Sequence, residues 1–497
     1  MKKMNLLVMS LVSAAALSFS SCSSNDDLGG GAGTQSQADG VYMTLKISGA
    51  TSHGTRTGVT ADKTTKENGN TDESTITEGM MYIYDGNTCV FRKVITADMF
   101  KTAPTQTTAG VTKPIKVAVT GAITTNKAYY VYFLANKTSV DDPIAATSIF
   151  TSTTGGADFA TEKNFVMFNQ NDGTNKAAHS TVTFTDAAKS EATPAAAGEI
   201  KLDRVVARID RPSFAETVTT VTPATDTKTS INVADVVAGI SYEGFAVSNL
   251  NNNSYVMQNW DANFKTLSVK WGEPKYSLPK STYGTLYNAE GLANFDTKEK
   301  PVSWKYAFEN TTTDVNDATA VYFKVKVALT ETAMAASDFK DGTFYRYDGR
   351  LYTSIKAIFD NAATGEISNP FTETNSITPA DVVAKITKDG KLTTDETVLA
   401  KFREDYKIEV YRQGVMYYRW AISDNAYKPF VASDPTHTYS VLRNSIYRLN
   451  VTKVSEIGKD VPNGPEPDDP VKNPNFYMNV TVSINPWVLN AQPIELK

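Results

Sequence analysis

Apolar and polar residues alternate along much of this chain. In the run VYMTLKI, Val41, Met43, Leu45 and Ile47 share one parity, and Tyr42, Thr44 and Lys46 take the other. A period of two predicts a strand with one face turned to a core. The same pattern recurs in MMYIYDG, CVFRKVI, IKVAVTG, AYYVYFLAN and TVTFTD, and in the stretch IKLDRVVARI from Ile200 to Ile209. It resumes in VAGISYEGFAVSNL, TLSVKWG, VSWKYAF, VYFKVKVALT, TFYRYDGRLYTS, YKIEVYRQGVMYYRWAI and NSIYRLNVTKVSEIG. Asp85-Gly86, Asp348-Gly349 and Gln413-Gly414 predict hairpin turns. Short helices are expected at Thr353–Asn361, Pro379–Ile386 and Thr394–Glu404. The low-complexity stretch FAETVTTVTPATDTKTS near 214–230 marks the expected domain boundary. The expected fold class is mostly β: two β-sandwich domains in tandem, with a few short helices in the connections.

Both ends of the chain depart from that scheme. The sequence closes on FYMNVTVSINPWVLNAQPIELK, where Phe476, Met478, Val480, Val482 and Ile484 alternate with polar residues. Just before it, prolines 462, 465, 467, 470 and 474 interrupt GKDVPNGPEPDDPVKNPN. Proline cannot donate to a sheet and favours extended geometry, so this segment is expected to be a stiff tether. At the other end, MKKMNLLVMSLVSAAALSFSSC has a basic start, an apolar run and small residues before Cys22, the pattern of a secretory signal. Ser20-Ser21-Cys22 reads as a lipobox with Cys22 the lipidated residue, although Phe19 stands where an aliphatic residue is usual. An ordinary signal followed by a chance cysteine is the other reading. The segment Ser23-Ser24-Asn25-Asp26-Asp27 resembles the surface-export signal of Bacteroidetes-type lipoproteins, or is a solvated linker.

Composition and charge narrow the function. A chain of 497 residues with net charge −5 has no basic run suited to nucleic acid. Of its two cysteines, a lipidated Cys22 would leave Cys89 without a partner, so stability is expected from packing, with Cys89 a small core residue. The three histidines, His53, His179 and His437, lack metal-motif spacing and read as surface or turn residues. The Gly-x-Ser-x-Gly and phosphate-loop signatures are missing, and NQNDGTN is a poor calcium loop because Phe168 falls at its first ligand position. No catalytic activity, metal or cofactor is expected, although a carboxylate pair brought together from distant strands would leave no spacing signature.

Three features combine instead. The first is the strand Val41–Ile47. The second is the loop after it, where Arg56 is the only Lys or Arg between Lys46 and Lys63 and is flanked by Gly54, Thr55, Thr57 and Gly58. An arginine in such a segment suits a trypsin-like protease, and also suits a solvated surface with no role. The third is the tethered terminal strand, whose stripe matches that of Val41, Met43, Leu45 and Ile47. If cleavage after Arg56 releases the first strand, the exposed groove is a template for a strand from another molecule. Burying five such side chains is worth on the order of 10 kcal/mol gross. One groove and one donor per chain make a head-to-tail contact that builds a filament. A tether of roughly 15 extended residues spans about 45 Å, enough to reach a neighbour. The alternative keeps the terminal strand in its own domain after a long loop.

These residues resemble the Bacteroidales-type fimbrillins, or type V pilins, in their short-fimbria, Mfa-like major-subunit branch. The resemblance is carried by Cys22, Arg56, the strand LDRVVARI at 202–209, GISYEGFAVSNLNNNSYV, VLRNSIYRLNVTKVSEIG and the ending NPWVLNAQPIEL. It implies an outer-membrane lipoprotein precursor, trimmed by an arginine-specific protease and polymerised by strand exchange into a shaft that supports adhesion. It also implies transthyretin-like sandwiches, and partners that are further copies of the chain together with anchor and tip subunits. On this reading the signal is 1–21 and the propeptide 22–56. The two sandwiches are 57–228 and 229–460, the tether 461–475 and the donor strand 476–497. Cys22 is the lipid site and Arg56–Thr57 the scissile bond. Val41, Met43, Leu45 and Ile47 form the displaced strand. The donor residues are Phe476, Met478, Val480, Val482, Ile484, Trp487, Ile494 and Leu496. A tip adhesin or a surface glycan-binding lipoprotein is the alternative. A tip subunit needs no donor strand, and a glycan binder needs exposed aromatic platforms, which Trp260, Trp271, Trp304, Trp420 and Trp487 would have to supply.

Overall fold

A computed structural model describes residues 40–45, 47–48, 71–102, 115–121, 123–145, 147–171, 179–214, 233–260, 266–267, 296–297, 303–312, 317–372, 377–423, 439–454, 457–461, 478–486 and 490–491. Strands dominate, as the alternation predicts, and they divide among three cores.

The first core lies between two sheets. One runs Ile47–Ser48, Ile200–Arg204, Met167–Asn169, Ala128–Ala135, Gly79–Asp85, Thr88–Ile95, and Ser180–Thr183 also pairs with Ala128–Ala135. The other runs Ala195–Ala196, Val41–Leu45, Ile115–Val119. Met43, Leu45, Ile83, Phe133 and Val117 meet between them, each at most 1% exposed. Gly86, at φ 59°, turns Gly79–Asp85 back into Thr88–Ile95, the expected Asp-Gly hairpin. Cys89 packs at the edge of this core.

The second core is also enclosed by two sheets. One is ordered Trp304–Ala307, Ala207–Asp210, Ser445–Val454, Met478–Pro486, Asn490–Ala491, with Ser213–Phe214 beside Ser445–Val454. The other is ordered Asp296–Thr297, Val237–Ser248, Ala320–Leu329, Val415–Ala421. Phe245, Phe323, Val325, Met416, Tyr447 and Val451 fill the space between them.

The run from Ile200 to Ile209 is two strands. Ile200–Arg204 belongs to the first sheet system and Ala207–Asp210 to the second, with the buried pair Val205 and Val206 carrying the chain across. All four residues Val205–Arg208 are buried, so apolar content continues through the crossing and conceals it from a period count. The crossing comes ahead of the low-complexity stretch, and residues 215–232 lie outside the described ones.

The third core goes beyond the two expected sandwiches. The three-stranded sheet Arg350–Tyr352, Phe344–Tyr347, Glu409–Tyr411 packs with helices Ile355–Ala363, Pro379–Lys385 and Glu396–Tyr406 around Tyr345, Ile355, Ile358, Phe402 and Tyr406. The helices stand where they are expected, and their caps explain why. Ser354 accepts from the Ala357 amide, and Asp395 accepts from the Thr397 amide. Thr378 and Asp381 cap each other reciprocally with Pro379 at the first turn. Asp348 and Gly349, both at positive φ, make the expected hairpin. Gln413-Gly414 does not. Its flanking strands go to different partners, Glu409–Tyr411 to Phe344–Tyr347 and Val415–Ala421 to Ala320–Leu329, so the left-handed Gln413 and Gly414 form a crossover between cores.

Candidate functional site

Val41–Leu45 is the middle strand of its sheet. It runs antiparallel to Ile115–Val119, pairing Val41 with Val119, Met43 with Val117 and Leu45 with Ile115. On its other side it is parallel to Ala195–Ala196, and the Ala197 amide donates to the Thr44 carbonyl at 3.1 Å. Ile47–Ser48 then joins the larger sheet beside Ile200 and Lys201. Val41 is 4% exposed, and Met43, Leu45 and Ile47 are 0% exposed. Four such side chains contribute roughly 6–12 kcal/mol of gross burial. Removing this strand therefore opens a gap with two walls, one antiparallel and one parallel, over an apolar floor.

The terminal strand pairs within its own chain. Met478–Pro486 runs antiparallel to Ser445–Val454, from Val454 opposite Met478 to Ser445 opposite Pro486, with a bulge between Val451 and Lys453. Asn490–Ala491 folds back on it, Ser483 opposite Ala491. On the inner side of Ser445–Val454 stand Ala207–Asp210 and Ser213–Phe214, both parallel to it. The terminal strand thus occupies the outer flank of its own second sandwich.

Polar groups converge where the two sandwiches meet. Glu73 lies in the short helix Thr71–Ser74. Its carboxylate accepts two bonds from the Arg208 guanidinium, at 3.0 and 3.1 Å, and one from the Tyr306 hydroxyl at 2.8 Å. Its carbonyl accepts from Arg204 Nε at 2.7 Å, and Arg204 also reaches Ser74 at 2.8 Å and Asn444 at 3.1 Å. Arg204 is 0% exposed, and burial lowers its guanidinium to about 10, with Glu73 and Asp203 opposing the fall. Burial first, then Glu73, pushes the Tyr306 phenol well above its ordinary value. Removing one member of such a set leaves buried polar groups without a partner, at a cost of about 1–3 kcal/mol each.

A second buried pair reinforces the junction. Arg443 Nε donates to Glu309 at 2.7 Å, and its other nitrogens reach the Val256 carbonyl at 2.9 Å and the Tyr255 carbonyl at 2.6 Å. Asn253–Tyr255 pairs with Ile149–Thr151 of the first unit, and the Phe308 ring packs 5.0 Å from Phe159. None of this is legible in the sequence, because Glu73 and Arg208 are 135 positions apart and nothing in either local sequence points to the other.

The site residues expected from sequence fall into three groups. Val41, Met43, Leu45 and Ile47 come together in the slot strand. Met478, Val480, Val482 and Ile484 lie on the terminal strand, where the backbone register is described. Cys22, Arg56, Thr57, Phe476, Trp487, Ile494 and Leu496 lie outside the described residues, as do His53 and His437. His179 is half-buried, its ring 3.8 Å from that of Tyr130, and burial lowers its pKa. Among the described residues, no group of three or more His, Cys, Asp or Glu side chains is placed to hold a metal, and no helix is long and apolar enough to cross a membrane.

Comparison with known proteins bears on the C-terminal region of the chain. Residues 409–493 match the family described as major fimbrial subunit protein type IV, fimbrillin, C-terminal. No curated protein matches the sequence. Among solved structures the chain is similar to a putative cell adhesion protein from Parabacteroides distasonis at 12% identity and TM-score 0.44, covering 90% of this chain and 99% of that one. It is similar to a fimbrilin (FimA) from Porphyromonas gingivalis at 15% identity and TM-score 0.38, covering 91% and 99%. The tip fimbrial protein Mfa3 from Porphyromonas gingivalis, truncated at its C-terminus, aligns at 11% identity and TM-score 0.34, covering 90% and 100%. These superpositions are loose. The matched segment runs from Glu409 through the strands Val415–Ala421, Ser445–Val454 and Met478–Pro486, and over this C-terminal region the chain is similar to the fimbrillin family.

Proposed function

We propose that this fimbrial subunit builds the shaft of a cell-surface fimbria by protease-triggered strand exchange. Cys22 carries the lipid of an outer-membrane precursor. An arginine-specific trypsin-like protease cuts Arg56–Thr57, and Val41–Ile47 leaves. The terminal segment of a neighbouring copy, Phe476–Leu496, then fills the slot, with Trp487 as an anchoring side chain. Anchor and tip subunits of the same fimbria end the filament.

The observation that supports this reading most is the position of Val41–Leu45. It is the middle strand of its sheet, its inward side chains are buried, and a lone arginine follows Ser48 by eight positions. A covalently attached strand is held by its loop as well as by packing. A cut converts it to a peptide bound only by burial and a short ladder, which a matching strand from a neighbouring copy can displace. The N-terminus of material sheared from cells tests this. Detergent-resistant polymer is expected to begin at Thr57 and monomer at Cys22. If all material begins at Cys22 and no ladder of oligomers appears, the shaft role is wrong.

A further inference from the structure

Strand exchange of this kind, which the proposal below presupposes, needs a definite point where the departing arm ends and the folded subunit begins. Residues 457–461 connect Ser445–Val454 to the proline-rich tether, and they are fastened from three directions. Lys459 and Tyr417 exchange both backbone bonds, at 2.7 and 2.9 Å, which attaches the segment to Val415–Ala421 of the other sheet. The Asp460 carboxylate accepts from Arg403 Nε and from the Val410 amide at 2.8 Å. Arg403 comes from helix Glu396–Tyr406 of the third core and also holds Glu396. The Tyr411 hydroxyl donates to the Gly458 carbonyl at 2.7 Å. At Gly458 the backbone approach is so close that a Cβ would lie 2.5 Å from the Tyr417 carbonyl oxygen. Ile457, Asp460 and Val461 are each at most 5% exposed.

We propose that residues 457–461 form a fixed post for the terminal arm, held by Arg403 of the helical core, so that the chain from Pro462 onward changes place while Ser445–Val454 keeps its register. When Met478–Pro486 departs, Ser445–Val454 loses its outer neighbour and keeps its parallel inner ones. Any pull on the arm then loads this strand from its C-terminal end, where ladder bonds would break in succession. A post bonded to the opposite sheet and to a helix diverts that load. It also gives the third core a role: it delivers Arg403 to the root of the arm.

Amide hydrogen exchange on full-length monomer, read against low denaturant, tests the post without requiring polymer. The Lys459, Tyr417 and Val410 amides are expected to exchange at least about 100-fold more slowly than those of residues 478–486, because the two segments open separately. Asp460→Asn leaves Arg403 its Glu396 partner and should preserve the fold. It is expected to speed the Val410 and Lys459 amides about 10-fold or more and leave residues 478–486 unchanged. Gly458→Ala should do the same by a different route. If post and terminal strand exchange at one rate with one denaturant dependence, they open as a unit and the post does not exist. If the two tiers are present but sheared material shows no Thr57 terminus, the post stands and the strand-exchange function falls.

Discussion

The two strands with the same alternating stripe are placed in ladders of different length. Val41–Leu45 pairs at five positions with Ile115–Val119 and two with Ala195–Ala196, and its inward side chains are almost wholly buried. Met478–Pro486 pairs at nine positions with Ser445–Val454 and two with Asn490–Ala491. The first is short and secured by apolar burial. The second has the longer ladder, and ladder bonds are replaceable: a strand moved to another edge exchanges main-chain bonds for main-chain bonds at little net cost. An empty apolar slot has no such substitute except a strand with the right stripe. On the proposed mechanism the drive for assembly therefore sits in the apolar slot that Met43, Leu45 and Ile47 vacate, not in the terminal ladder.

The largest effect expected concerns the covalent hold on the first strand. Arg56→Ala should abolish polymer while leaving a folded, lipidated precursor, with N-terminal sequencing and a detergent-resistance gel as the readout. Polymer of wild-type yield from that variant would show that the first strand need not be released.

Charge placed in each strand sharpens the comparison. Leu45→Asp puts a carboxylate at a wholly buried position and should cost about 4–5 kcal/mol of precursor stability by urea unfolding. Val482→Asp, opposite Leu449 in the terminal ladder, should suppress polymer as fully as Arg56→Ala, and its cost to the precursor by the same measurement sets the comparison. Equal costs in the precursor would mean that the terminal strand is as deeply built into its own sandwich as the first strand is. Glu73→Ala comes next. By removing one of the two carboxylates that hold Arg208, Asp210 being the other, and the acceptor of Tyr306, it should cost about 1–3 kcal/mol, and its effect on both sandwiches at once, seen by hydrogen exchange, would distinguish a junction from a local contact.

How much of this is legible in the sequence depends on the range of the interaction. Period-two runs and Asp-Gly turns locate the strands at Gly79–Asp85, Thr88–Ile95 and Ala320–Leu329 because those features are local. The helices at Ile355–Ala363, Pro379–Lys385 and Glu396–Tyr406 are legible from their length and polarity, although their packing into a separate core is not. The crossing at Val205–Val206 is hidden because buried residues on both sides erase the period. The Glu73 junction and the Asp460 post are invisible for another reason: each joins residues 50 or more positions apart through charges that look like ordinary surface residues in the sequence. The resting place of the terminal strand is also open at that level, since its stripe fits either sheet equally well.

The smallest expected effect is a pH dependence at the root of the arm. Glu409 lies against Asp460, Arg346, Lys459 and Tyr411, and burial first, then Asp460, push its carboxyl up to about 7 against the pull of Arg346. The Tyr411 hydroxyl has one proton and two acceptors, Glu409 at 3.0 Å and the Gly458 carbonyl at 2.7 Å. When Glu409 is protonated it can donate to the Tyr411 oxygen, freeing the phenolic proton for Gly458. When it is ionised, the carboxylate competes with Gly458 for that proton. Between an unfolded value near 4.5 and the folded value near 7 the native state holds a proton the unfolded state has lost, so stability falls as pH rises through this window. With Glu409 still 22% exposed, the change is expected to be roughly 2 kcal/mol or less. Urea unfolding at pH 5 and pH 8 should show the slope, and Glu409→Gln should flatten it by supplying a permanently neutral partner. The post amides of Lys459 and Val410 should likewise be slower at pH 5 than at pH 8, once intrinsic exchange is corrected for. A slope of the opposite sign at these amides would mean that the ion pairs to Asp460, and not the Tyr411 relay, hold the root.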